Sequence, residues 1–169
     1  TNNHRVMRWD SGSTAGVKVF GDRPRGGQLT NDLYYPLMCK IDVLGILHVV
    51  DTGNHRIQSR SADVLTDTPY TTAGTTGVSG STFTTLFYPR DIWIEAITER
   101  PMYIHDYGND RIMRLELQGA NAGMPMTQVH GGSGLSGIEY TPALLGTIKF
   151  PAGIARDFDA PDEYPTIYT

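Results

Sequence analysis

The residues of this 169-residue chain whose types suit chemistry are five histidines, four carboxylates beside apolar runs, one cysteine and a few glycine-flanked serines. A catalytic zinc needs three converging side chains and an open fourth position. His4 and His55 share one local context, Asn-His-Arg, while His48 and His105 sit in apolar runs and His130 in a more polar one. That spacing gathers no three of them, so no metal site is expected. Asp42, Asp91, Glu95 and Asp157 are oxygen donors of the kind a hard cation takes, and they read as ordinary solvated carboxylates. Gly132-Ser133-Gly134-Leu135-Ser136-Gly137 formally matches the dinucleotide fingerprint, but Pro142 and Gly146 stand where its helix should run. Ser79 and Ser136 stand beside glycines outside the G-x-S-x-G pattern. A single Cys39 forms no internal disulfide, and its apolar surroundings predict a small core residue. These residues predict no catalytic constellation and no cofactor.

Composition narrows the partners. With 14 Lys+Arg against 18 Asp+Glu the formal charge is −4, so the basic field that dominates binding to phosphate backbones is missing and a nucleic-acid partner is disfavoured. No stretch approaches the ~20 apolar residues of a helical membrane span. Abundant Gly, Tyr and Thr with Pro as punctuation is the vocabulary of short strands joined by turns, which predicts an all-β chain. Its start at Thr1 suggests a chain processed or cut from a longer one.

The elements that must position these residues repeat. Asn3-His4-Arg5-Val6 recurs as Asn54-His55-Arg56-Ile57 and Asn109-Asp110-Arg111-Ile112, at separations of 51 and 55 residues. Asp51-Thr52-Gly53 and Asp106-Tyr107-Gly108 precede the second and third copies. An aromatic-proline mark, Tyr35-Pro36, Tyr88-Pro89 and Phe150-Pro151, has a similar period of 53 and 62 residues. After each proline comes an apolar strand (residues 37–41, 91–94, 153–155) and then a second (46–50, 102–105, 166–168). The Asp-x-Gly-Asn turn and its Arg strand come next (56–59, 111–117), then a polar strand ending in glycine (17–21, 70–74, 126–131). Four strands of ~4–7 residues per ~50–60 residues is the measure of a propeller blade, and no segment sustains a helical period. The turn carboxylates are expected to bond the turn backbone, Gly53 and Gly108 to supply a positive φ, and Arg56 and its equivalents to reach a carboxylate or carbonyl.

On these marks the sequence resembles the NHL-repeat β-propeller family, and Asn3 through Trp9 and Asp51 through Gln58 look especially like the repeats of its extracellular members. The resemblance implies one propeller segment over residues 1–169, with blade parts 1–31, 32–84, 85–146 and 147–169. That is about three blades as a half, two whole and a half, completed to about six by a second copy or by further chain. It also implies two classes of function: a non-enzymatic binding or assembly module, extracellular or secreted, or a metal-dependent lyase- or lactonase-type propeller enzyme with its site in the central channel. None of the five histidines lies on the innermost, proline-led strand, where channel ligands are expected, so the first class is favoured.

Propeller geometry would put the loops entering the innermost strands on one face with the turns between second and third strands. Tyr35, Tyr88, Arg90, Asp51, Asp106 and Asn3 are therefore the candidate binding residues, for a glycan or peptide. Thr169 aligns with His105 and Thr1 with Tyr107, so tail and head together would make one blade. The segment 165–169 is expected to pair with residues 4–9 of another copy or segment, with Val6, Trp9, Ile167 and Tyr168 at the assembly edges.

Overall fold

In the computed structural model the described residues are 2–63, 66–96, 100–119, 123–131, and the backbone of 155–156 and 167–168. The glycine run 132–137, Asp157, Phe150-Pro151 and Thr169 lie outside them. Among the described residues there are twelve short strands: β1 (Val6–Arg8), β2 (Val17–Phe20), β3 (Cys39–Ile41), β4 (Ile46–Asp51), β5 (Arg56–Ser61), β6 (Tyr70–Gly74), β7 (Asp91–Ile94), β8 (Pro101–Asp106), β9 (Arg111–Glu116), β10 (Thr127–Gly131), β11 (Ala155–Arg156) and β12 (Ile167–Tyr168). Among the described residues the only helical pieces are single 3₁₀ turns, Thr52–Asn54 and Tyr107–Asn109.

The chain is all-β, and each sheet is an antiparallel meander. β3-β4-β5-β6 and β7-β8-β9-β10 form four-stranded sheets in sequence order, and β1-β2 and β11-β12 form two-stranded ones. The full-length sheets begin and end within two residues of the expected positions, because alternating apolar residues and Gly or Pro turn signals coincide there. The third and fourth strands of each full sheet carry a bulge, at Ile57/Gln58 and at Gln128/His130, which adds twist.

Side-chain alternation explains how the sheets stack. On β4, Leu47 and Val49 pack with Val19, Phe20 and Leu33 of the preceding segment, with Val6 partly buried against them. Val50 points the other way and joins Ile57, Ile92, Met102, Ile104 and Met113 in the layer between the two four-stranded sheets. A central strand buried on both faces in this way reads as a continuous apolar run, as 46–50 does. The first strands β3 and β7 also lie against each other, so the two full sheets meet along their leading edges.

The core reading of Cys39 is corrected: the residue is exposed, as are Leu37, Met38 and Ile41. The β1-β2 sheet packs on β4 of the next sheet, and the contact of β3 with β7 leaves the Cys39 side chain uncovered. The glycine reading is corrected as well. The left-handed residue of each turn is His55 (φ 59°) or Asp110 (φ 52°), with His4 (φ 48°) in the first copy. Gly53 and Gly108 are instead required for close approach, since a Cβ there would stand 2.4 Å from the Tyr34 ring or 2.6 Å from the Phe87 ring.

Candidate functional site

Each repeat mark builds one latch. Asp51 accepts hydrogen bonds from the Tyr34 backbone N–H (2.6 Å), from Asn54 Nδ2 (2.8 Å) and from Arg56 Nε (2.7 Å). The rest of the Arg56 guanidinium donates to the carbonyls of Gln28, Leu29 and Asp32 and to Thr76 Oγ1, so it fastens the loop leading into its own sheet. Asp106, Asn109 and Arg111 repeat the arrangement with Phe87, Ser81, Thr82 and Thr85. Burial pushes the Asp51 and Asp106 carboxyls above the ordinary range, against the pull of these donors.

The histidine of the mark reaches forward. His4 Nδ1 accepts the Tyr35 N–H (3.0 Å) and His55 Nδ1 accepts the Tyr88 N–H (3.1 Å). Both tyrosines are left-handed (φ 49° and 48°), and this bond helps hold that strained turn before its proline. Burial lowers the His55 pKa, which keeps the ring neutral and Nδ1 an acceptor.

These contacts settle where the six candidate binding residues stand. Tyr35 and Tyr88 are 43% and 46% exposed, and Asn3 and Arg90 are exposed. Each tyrosine sits in a ring cluster: His4 with Tyr34 and Tyr35, and His55 with Phe87 and Tyr88. The Arg90 guanidinium lies 3.3 Å above the centre of the Tyr107 ring. Asp51 and Asp106, by contrast, are wholly buried and committed to their latches, so as ligand contacts they are corrected to structural residues. Of the assembly-edge residues, Val6 is half-buried opposite Phe20 and Trp9 is 62% exposed. Ile167 and Tyr168 pair with Arg156 and Ala155.

A second polar constellation lies at the seam between the four-stranded sheets, and the sequence pattern does not announce it. Asp42 and Glu95 are buried rather than solvated, while Asp91 is half-exposed. Asp42 Oδ1 accepts the Leu44 and Ile46 N–H groups at 2.9 Å; Oδ2 meets His48 Nε2 at 3.2 Å and pairs with Arg100 Nη1. His48 Nδ1 is 2.7 Å from Ser59 Oγ, which bonds Thr72 Oγ1. Burial alone would raise the Asp42 pKa, but these donors hold it below its ordinary value; burial lowers that of His48. Arg100, left-handed at φ 47°, comes from 58 residues away, beyond the reach of any local motif. Among the described residues no three of His, Cys, Asp and Glu are gathered as metal ligands.

Solved structures give the fold precedents. The crystal structure of an auxiliary nutrient binding protein from Bacteroides thetaiotaomicron matches with a TM-score of 0.64 at 21% identity, over 94% of this chain. This chain spans 39% of that protein's length. At such identity the likeness is one of fold alone. No family model and no curated protein matches the sequence.

Proposed function

We propose that this chain is a segment of an NHL-type β-propeller and serves as a non-enzymatic binding module outside the cell. Its ligand is a glycan, held on the face that carries Tyr35, Tyr88 and Arg90. Residues 1–31, 32–84, 85–146 and 147–169 are successive blade parts, and the β1-β2 edge is completed by strands from a second copy or from further chain. Val6, Trp9, Ile167 and Tyr168 lie at that join.

The observation that carries the reading is the repeated exposure of the aromatic-proline turn. The Leu-aromatic-Tyr-Pro segment is fastened twice by the same latch, yet each time its tyrosine ring stays exposed beside a histidine. Rings held rigidly at the surface offer flat apolar area at low entropic cost, and the stacked Arg90–Tyr107 pair adds hydrogen-bond donors. The likeness to a protein named for nutrient binding supports a binding role. The test is an array of soluble oligosaccharides probed with the full chain, Tyr88→Ala and Arg90→Ala. Loss of the captured glycans in both variants, with unchanged folding, is expected; capture unaltered by either variant refutes the site.

A further inference from the structure

We propose that the cavity at the seam between the two four-stranded sheets is a second binding site, for the neutral pyranose ring of a single sugar residue. The cavity measures about 230 Å³ and is lined by Thr72, Tyr70, Arg100 and His48, with Ile46 and Leu115 among its apolar walls.

The buried hydrogen-bond chain fixes what this wall offers. Asp42, with backbone N–H donors on one oxygen and Arg100 and His48 on the other, is ionised, so the His48 proton is on Nε2 facing it. The ring is buried and neutral, which leaves Nδ1 as a bare acceptor. Ser59 must then donate to Nδ1, and Thr72 must donate to Ser59. Ser59 is wholly buried and Thr72 is half-exposed at the cavity, so Thr72 Oγ1 meets a ligand as an acceptor only.

Donors come from the opposite side. Arg100 spends Nη1 on Asp42 and Nε on Gln118 Oε1 (3.1 Å), and its Nη2 makes no hydrogen bond among the described residues. The Tyr70 hydroxyl, whose pKa is raised by burial and by Asp42, can do either. An acceptor, a donor and an amphoteric hydroxyl above apolar walls match a ring with adjacent hydroxyls on its edge and C–H groups on its face. A bare anion would satisfy Arg100 but would face the Thr72 lone pairs, and an apolar ligand would leave all three groups unpaired. Left-handed Arg100 fits the same reading, since backbone strain of this kind gathers at ligand sites.

The site is separate from the tyrosine face, so one set of variants tests both. Methyl glycosides of glucose, galactose, mannose and N-acetylglucosamine are titrated into the full chain and followed by saturation-transfer NMR. At least one should bind with a millimolar or tighter dissociation constant. Thr72→Val should weaken that binding about tenfold, and Tyr70→Phe, which removes only a hydroxyl from a half-exposed ring, should weaken it in the same direction. The part of the binding that Thr72→Val removes should persist in a Tyr88→Ala background. Failure of every glycoside to bind at tens of millimolar overturns the proposal. So does acetate or phosphate bound in preference, which would make Arg100 a plain anion site. Binding lost in Tyr88→Ala but kept in Thr72→Val would also overturn it, while favouring the tyrosine face.

Discussion

Replacing His105 with Val should flatten the acid limb of this protein's stability profile. His105 is wholly buried on β8, and neither ring nitrogen has a hydrogen-bond partner among the described residues. The terminal pairs Asp51–Arg56 and Asp106–Arg111 align it with Val50 of the preceding sheet, so valine suits the site. Burial pulls its pKa down to about 4; Asp91 and Asp110 pull upward and Arg90 downward. A folded value below the unfolded one favours the neutral form. The stabilisation is therefore complete above the unfolded pKa of ~6.5 and is lost as pH falls from there toward about 4. That fall is worth roughly 3 kcal/mol, against a total stability of about 5–15 kcal/mol for a typical domain. At neutral pH the variant sheds two unpaired polar atoms and should be as stable as the parent or about 1 kcal/mol more so. Urea unfolding followed by tryptophan fluorescence at several pH values between 7.5 and 4.5 measures this directly. The raised carboxyls of Asp51 and Asp106 contribute with the opposite sign in both proteins, so the difference between the two curves isolates His105. Parallel curves would refute the reasoning.

Arg56→Leu and Arg111→Leu should each cost about 3–5 kcal/mol in the same unfolding assay, because each strands a buried aspartate and loop carbonyls; losses under 1 kcal/mol would mean the latches do not hold the sheets. Gly53→Ala should destabilise by about 1–3 kcal/mol, since its methyl would press on the Tyr34 ring and carbonyl, which a shift in thermal midpoint will show. His55→Asn should be tolerated within about 1 kcal/mol, because asparagine adopts the left-handed region readily and Asp110 already fills the matching position. His55→Val should cost more than that at the same backbone angle, and equal denaturation midpoints for the two variants would contradict the account.

Much of this structure was written in local pattern. The period of the Asn-His-Arg and aromatic-proline marks, the four strands between them, and an Arg bound to a nearby carboxylate all arise from residues close together in the chain. A turn and the strand after it are decided by local sterics and hydrogen bonding, which sequence displays directly. What each residue faces is decided elsewhere. Asp51 is a candidate ligand contact by sequence and is sealed by Tyr34 and Arg56, whereas Cys39 is a core residue by its apolar neighbours and is exposed, because the contact of β3 with β7 does not cover it. Glycine suits the left-handed turn position by sequence, yet His55 and Asp110 take it, while Gly53 and Gly108 are glycine because the aromatic segment preceding each, at Tyr34 and Phe87, lies too close to admit a side chain. The seam cavity was the least legible feature of all. It exists only where Asp42 and His48 of one sheet meet Arg100 of the next, and two patterns 58 residues apart carry no sign of each other until the sheets are stacked.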